Sequence, residues 1–516
     1  MLRVTVVKNV LFLQRESLMK IRYALLVALV ATSARGYNSY SHTYFSDHVP
    51  FQTGSPEKES LWHSHLFYDR DLTVGGWLQV VPFGGESIGN ELATYFAPHG
   101  SHEYLVQEYK PSDPSSTKDL NKNKNLEARH FNIQTDPAKS PKAFTSKLTF
   151  NPHHTFYGVG LDYVQSFCEK YWFEVSAPIM KVTNWFEITE DIVESGGGAL
   201  NVIGLDERPR YANMKQYFTE SKLKYGKIIP GEKLEKWGLA DIEVKLGWAT
   251  YDNGEAHLRT FIGMTIPTGN KPSAEYLFEP VIGNNQHFGI IFGSNFSFPI
   301  IEHGKHHIHQ EVDTCGRYLF PNHQVRSFDL IGKNWGRYME IYKSQSQATN
   351  ANAYNGSFGI ETFTQKVEVD PRFSFTFNTA WDYAYSDWFV AEFGYNMFAR
   401  QGEKIELVDE FSKSVALKHV KGNGLTTRSR TINSNFANDQ IDLADYSVDP
   451  ISVQDLSLKS AAHPPLISQT FYGSIGYLIN SCKVPTELTL GGSYEWSRNN
   501  AGMHRFFVWG KVGMAF

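Results

Sequence analysis

Two short stretches of the sequence carry residue types and spacings that could do chemistry. Residues 85–89 (GESIG) fit the GxSxG pattern of a serine nucleophile, which requires a histidine and an acid as partners. Residues 299–309 contain imidazoles dense enough to bind zinc or copper, namely His303, His306, His307 and His309. No partner set is assignable for the serine, and a solvated turn explains the histidines. The sequence therefore predicts no enzyme, no catalytic residue, no metal and no cofactor.

Composition excludes several other classes. The three cysteines, Cys168, Cys315 and Cys482, are too few for a disulfide framework, although one disulfide remains open. The formal net charge of −5 offers no basic footprint for nucleic acid. Aromatic residues make up 14% of the chain, yet its mean hydropathy is −0.36, which is too polar for a helical membrane protein. A membrane β-barrel combines these values, because only every second strand residue faces lipid.

The elements that would position any site are strands with a period of two. In 372–383, Phe373, Phe375 and Phe377 alternate with polar residues, and aromatic side chains lie near both ends of the apolar face. The same alternation predicts about fourteen strands, within a range of 12–16. They are 72–81, 127–134, 144–151, 155–165, 171–182, 240–250, 256–267, 287–298, 307–319, 372–383, 388–399, 466–478, 486–497 and 503–516.

Connection lengths favour a barrel over a soluble sandwich. The long connections, 82–126, 183–239, 268–286, 320–371 and 400–465, all follow odd-numbered strands. The connections that follow even-numbered strands are short. Long loops on one side and short turns on the other are typical of outer-membrane barrels, and a sandwich has no reason to sort its loops in this way. An all-β, closed antiparallel barrel is the predicted fold.

The last segment, 506–516 (FFVWGKVGMAF), places Phe506, Val508, Val512 and Phe516 on one face. It resembles the C-terminal strand of bacterial outer-membrane β-barrel proteins, which ends in Phe. The resemblance implies that Phe516 is an assembly signal read by the barrel-insertion machinery. It also implies outer-membrane lipid as a partner, long extracellular loops and short periplasmic turns.

The N-terminus supports export. Met19 to Arg22 form a basic start, about ten apolar residues follow, and small residues up to Gly36 end the run. We therefore predict a cleaved secretory signal within 1–36, with a true start at Met19 as an alternative. Residues 37–70 are predicted to form a periplasmic extension, and 71–516 the transmembrane barrel.

Charged residues on the inward faces of the predicted strands are the candidate pore lining. They are Asp162, Glu174, Asp241, Glu243, Lys245, Arg259, Glu311, Asp313, Arg317, Arg372, Asp382, Glu392, Arg400, Glu487, Glu495 and Lys511. The alternation places Lys147 on the same face. A mixed charged interior suits a water-filled pore, since charges buried in a dry core would need pairing.

The function predicted from these features is a porin-like channel for passive diffusion of small polar solutes. One alternative is a surface adhesin or receptor, in which the loops bind a partner and the barrel is an anchor. Another is a hydrophobic-solute transporter, which usually needs an N-terminal plug, for which only residues 37–70 are available.

Overall fold

The computed structural model describes most of the chain after residue 40. The described ranges are 41–61, 75–97, 101–108, 126–131, 133, 142–168, 170–195, 211–252, 256–331, 335–342, 357–386, 388–417, 450–479 and 484–516. The predicted signal within 1–36 lies outside these ranges. Among the described residues, no helix is both long and apolar enough to cross a bilayer.

Twelve antiparallel strands form a closed barrel, each paired with the next along the chain and the last paired with the first. They are β1 (Gly75–Ile88), β2 (Thr145–Cys168), β3 (Tyr171–Glu194), β4 (Ile242–Asp252), β5 (His257–Ile266), β6 (Gly289–His303), β7 (His306–Leu319), β8 (Arg372–Tyr385), β9 (Phe389–Arg400), β10 (Leu466–Ile479), β11 (Thr486–Ser497) and β12 (His504–Ala515). Closure leaves no free sheet edge along the wall.

The strand count differs from fourteen for two reasons. Residues 144–151 and 155–165 belong to one strand, β2, which continues through Pro152. Pro152 is tolerated because the partner on one side of β2 changes there, from Glu103–Gln107 to β1, so no ladder needs its missing N–H. Residues 127–134 do not form a barrel strand. A two-residue strand, Leu126–Glu127, is followed directly by a 3-10 helix, Ala128–Phe131.

The barrel wall has an apolar outer face and a polar inner face. In β9, Phe393 is 54% exposed, whereas Glu392 and Asn396 are buried. In β11, Leu490 is 68% exposed, whereas Glu487 is buried. This arrangement inverts that of a soluble protein, since the charged side chains are inside and the large apolar ones outside.

The two ends of the barrel are different. Short turns join β2–β3, β4–β5, β6–β7, β8–β9 and β10–β11 at one end, the short-turn end, where β1 begins and β12 finishes. The connections after β1, β3, β5, β7 and β9 are long and lie at the other end, as their lengths predicted. We call these five connections the cap: 89–144, 195–241, 267–288, 320–371 and 401–465.

The cap has regular structure and its own apolar core. The helices of its described residues are Glu91–Phe96, Met214–Glu220, Gly359–Phe363 and Leu458–Ala461, with 3-10 turns at Ala128–Phe131, Gly336–Tyr338 and Val453–Asp455. Its strands are Glu103–Gln107, Leu126–Glu127, Leu234–Leu239, Asn322–Ser327, Asp329–Leu330, Glu340–Tyr342, Ser357–Phe358, Thr364–Asp370, Lys404–Leu407, Ser412–Ser414, Ala416–Leu417, Pro450–Ser452 and Leu456–Ser457. Buried side chains such as Trp335, Tyr338 and Phe218 pack edge to face in its core.

Residues 41–61, which we call the plug, run through the barrel interior. Ser41 contacts Asp329 in the cap, and Leu61 contacts Glu392 near the short-turn end. A short helix, Pro56–Glu59, is fully buried in between. The sequence placed 37–70 in an extension beyond the barrel, but residues 41–61 lie within it. The reason is that their polar groups pair with charged side chains of the inner wall.

Candidate channel lumen

Most of the predicted pore-lining side chains lie on the buried inner face of the wall. Asp162, Glu174, Glu243, Lys245, Arg317, Glu392, Glu495 and Lys511 are all buried there. They are brought together by strand register: Asp162 on β2 and Glu243 on β4 both lie opposite Ser176 on β3. A water-filled row was expected, but the plug covers this row.

Lys58 of the plug is the centre of the densest polar cluster. Its side chain is fully buried, and its Nζ lies 2.6 Å from the Ser176 hydroxyl and 2.9 Å from Glu174 Oε1. Glu243 Oε2 and Asp162 Oδ1 follow at 3.8 and 3.9 Å. Four oxygens of three neighbouring strands therefore surround one ammonium group.

The wall carries its own bases at the same level. Lys245 Nζ lies 2.6 Å from Glu174 Oε1, and Arg317 donates to Glu243. Glu243 also accepts from the backbone N–H of Thr53 at 2.9 Å and from its hydroxyl at 2.6 Å. The carboxylates of this cluster are thus shared between wall bases and the plug, as buried charges require.

Further contacts fix the plug toward both ends of the lumen. Toward the cap, Arg505 donates to Asp47 of the plug at 2.7 Å and also to Glu495. Toward the short turns, Lys511 donates to the carbonyl of Ser60. Between these levels, Asn396 donates to the carbonyl of Gly54 at 2.7 Å. The wall therefore binds the plug mainly with side chains.

The remaining candidate residues have other surroundings. Asp241 accepts from the Asn284 backbone at 2.7 Å and so anchors a cap loop, while Asp313 accepts from Asn295 and Asn378. Arg372 is exposed, at the cap end of β8. Arg259, Asp382 and Arg400 are half-buried, and Arg400 donates to the Ser46 carbonyl. Glu311 and Glu487 are buried, and each accepts from a hydroxyl group, of Ser297 and of Thr489 respectively. Lys147 is exposed and pairs with Glu103 in the cap.

Two glycines make room for the plug. A Cβ on Gly160 of β2 would lie 2.5 Å from the ring of Phe51, so only glycine permits this approach. Gly54 of the plug has φ +92°, a conformation that side chains rarely adopt, and its position faces Thr376 and Cys315. The plug and the wall therefore fit closely over this level.

A small cavity remains between the plug and the cap end of β2 and β3. Its lining is mixed, and on its apolar side Phe45 and Val49 of the plug face Phe156, Met180 and Phe278. His154 and Asn184 add polar atoms, and they are hydrogen-bonded to one another at 2.7 Å. The interior thus combines a charged centre with a small cavity of mixed lining near the cap.

The N-terminal part of the plug is held in the cap by aromatic and charged groups. Arg326 stacks on the ring of Tyr44, with its guanidinium 3.0 Å from the ring centre. Nearby, burial lowers the pKa of His42 to about 3 and that of His287 to about 4. These histidines are therefore neutral at ordinary pH.

Residues of the two motifs that prompted chemical hypotheses make structural hydrogen bonds. Ser87 lies within β1, not in a turn to a helix, and its hydroxyl accepts from the backbone N–H of His154. His306, beside the β6–β7 turn, has its Nδ1 2.8 Å from the Tyr383 hydroxyl. Across the described ranges, no three His, Cys, Asp or Glu side chains are grouped to hold a metal ion.

The residues that sequence reasoning missed are those of the plug, above all Lys58. The sequence signals were present: residues 55–59 (SPEKE) form a proline-initiated helix, and Gly160 interrupts an inward row of larger residues. Nothing local connects these positions, however, because Lys58 and Glu243 are separated by 185 residues.

No protein-family model and no curated protein sequence matches this chain. Solved structures resemble it in outline. An outer membrane channel from Pseudomonas putida F1 is 8% identical, with a TM-score of 0.36 over 86% of this chain and 97% of that one. A FadL homologue from Pseudomonas aeruginosa is 7% identical, with a TM-score of 0.25 over 86% and 89%. The CymD monoaromatic hydrocarbon channel is 7% identical, with a TM-score of 0.23 over 86% and 88%. Likenesses this weak carry no argument about function.

Proposed function

We propose that this chain is an outer-membrane channel that is closed by its own plug and admits small polar solutes when the plug moves. The observation that carries the proposal is the composition of the lumen. A continuous inner row of charged side chains is paired with a separate segment of chain, not with a core that belongs to the wall. Removing that segment would leave a charged, hydrated passage.

The outer face supports placement in a membrane. Exposed aromatic side chains lie near the short-turn end, for example Phe167, Tyr171 and Trp388, and others near the cap, for example Phe288 and Phe320. Exposed aliphatic side chains fill the band between, among them Leu161, Ile262, Ile475, Leu490 and Val508. Two aromatic girdles around an apolar band are the pattern of transmembrane barrels. A closed barrel also satisfies every backbone hydrogen bond that lipid cannot.

The bonding of the plug supports its movement. Within the described residues, its backbone-to-backbone hydrogen bonds to other segments are those of His42 and Thr43 with the cap residues Tyr95 and Ser460. The twelve-strand ladder is complete without it. The plug can therefore leave the lumen without opening the wall.

Single-channel recording in planar bilayers tests this function. We expect rare, small openings of the wild-type chain and larger, more frequent steps for Lys58→Met, which removes the central ion pairs. Lys404→Met, in an exposed cap pair with Glu406, is the matched control and should behave as wild type. Silence of every variant, combined with loop-dependent binding to cells, would overturn the channel and favour the adhesin.

A second candidate is a hydrophobic-solute transporter, and the apolar side chains of Phe45 and Phe156 beside the small cavity favour it. Current that is blocked by apolar solutes but unaffected by polar ones would select this candidate over the first.

A further inference from the structure

We infer that the lumen contains a binding site for a primary ammonium group, and that the solutes of the channel are small primary amines. The plug lysine, Lys58, occupies this site in the structure. The inference deepens the proposed function and rests on it for the part that concerns transport.

The site is built by the wall. Ser176, Glu174, Glu243 and Asp162 all belong to β2, β3 or β4, and their oxygens lie 2.6 to 3.9 Å from the Lys58 Nζ. The carboxamide of Gln79 on β1 donates to the other Asp162 oxygen at 2.7 Å, which orients that carboxylate. The oxygens therefore keep their positions on rigid strands when the plug is elsewhere.

The charges at this level leave room for one cation. Among the groups paired directly in this cluster, Asp162, Glu174 and Glu243 contribute three negative charges, and the wall bases Lys245 and Arg317 contribute two positive ones. One negative charge remains among these wall groups, and Lys58 neutralises it. Since an uncompensated buried charge is costly, the vacated site would attract another cation.

The geometry selects an ammonium with N–H donors. The shortest contacts are to a hydroxyl at 2.6 Å and a carboxylate at 2.9 Å, both within hydrogen-bond distance. A quaternary ammonium has no N–H and cannot make these bonds, and its methyl groups would also hold the nitrogen farther away. Primary amines are consequently preferred over quaternary ones of equal charge.

Chemical rescue tests the site without relying on conductance. Lys58→Ala removes the atoms that n-propylammonium contains, so this probe should raise the melting temperature of the variant in detergent. The concentration for half of this effect should be roughly tenfold lower than for tetramethylammonium, because charged hydrogen bonds are lost with the latter. Propionate should have no effect, and neither should n-propylammonium on the wild type, whose site is occupied.

Two further variants identify the site. Lys58→Ala/Glu174→Gln should lose the preference for the primary amine, whereas Lys404→Ala, made in the cap, should show no response to any probe. If Lys58→Ala does not refold alone, its refolding yield with n-propylammonium or tetramethylammonium replaces the melting temperature as the readout. Equal effects of the two cations would overturn the ammonium site.

Conductance of the same variant then tests the solute class. We expect Lys58→Ala in planar bilayers to pass n-propylammonium in preference to tetramethylammonium and to propionate. Rescue without this preference would overturn primary amines as solutes. Rescue in a protein that never conducts would leave the site standing and overturn the proposed channel.

Discussion

The inner face of the barrel wall and the plug bury one another, but different interactions keep each of them in place. Wall strands are joined by backbone hydrogen bonds between neighbours in the chain, as in β2 and β3, which pair over most of their length. The plug is bound mainly by side chains that reach it from many strands, such as Arg317, Asn396 and Lys511. The closure of such a wall does not depend on any single side chain, whereas the loss of one side chain can release such a plug.

The largest effect is expected when the central lysine loses its charge. Lys58→Met should weaken the binding of the plug in the lumen by about 3–5 kcal/mol, because it leaves buried carboxylates beside the plug without their cation. Hydrogen exchange of residues 41–61 in detergent measures this loss directly. Lys404→Met should leave that exchange unchanged, and unaltered protection of the plug in Lys58→Met would mean that the ion pairs do not hold it.

A change on the outer face should affect the wall and leave the plug in place. Phe393 is more than half exposed on β9, so Phe393→Arg would put a charge into the lipid. The free energy of unfolding in vesicles should fall by about 2–4 kcal/mol near the bilayer midplane. Phe393→Leu is the apolar control. Equal stability of the two variants would argue against a lipid-facing surface.

The fit between plug and wall should respond to one added methyl group. Gly54→Ala imposes a side chain at φ +92° and places its Cβ 3.0 Å from Thr376. We expect the plug to be destabilised by about 1–2 kcal/mol. Faster exchange confined to residues 41–61 would confirm this, and exchange that spreads into β8 would show that the wall adapts instead.

Acid should loosen the cap around the plug by a smaller amount. Burial holds the pKa of His287 at about 4, below its unfolded value of 6.5, while Phe320 O and Gln324 contact its two ring nitrogens. The unfolded form binds more protons in this window, so stability is complete above pH 6.5 and decreases toward pH 4. Between pH 7.5 and 5.5 the loss that His287 contributes is about 1 kcal/mol. Exchange rates of cap amides at both pH values measure the total loss, and His287→Gln should reduce it by that contribution, while buried His42 keeps its own.

The contrast between wall and plug also explains what the sequence predicts. Alternation of side chains is local, so it identified the faces of strands such as β8 and β9 and placed Glu174, Glu243 and Arg317 inside. The alternation divides residues 144–165 into two strands around 152–154, because local reasoning does not reveal that the neighbouring strand changes there. The plug was missed because its partners are remote in sequence: Arg505 and Asp47 are 458 residues apart.

The fold can therefore be predicted from the two-residue alternation of side chains, from the loop lengths and from the need to close the sheet. Whether the lumen is open or filled depends instead on complementarity between distant segments of the chain. Sequence alone showed mixed charges inside the barrel. It did not show that Lys58 is the cation that completes them, because any of several inward bases could have paired with the same acids.

A reversible crosslink between plug and wall tests the central claim, that residues 41–61 close the lumen, most directly. A Cβ at Gly54 would lie 3.5 Å from the Cβ of Cys315, a separation suited to a disulfide. We would make Gly54→Cys in a chain with serine at Cys168 and Cys482, and use Gly54→Ser in the same chain as the control for strain. We expect channels of the oxidised Gly54→Cys protein to stay closed and to open after reduction, while the conductance of Gly54→Ser channels is the same before and after reduction. Equal conductance before and after reduction, in protein shown by mass spectrometry to be crosslinked, would contradict it.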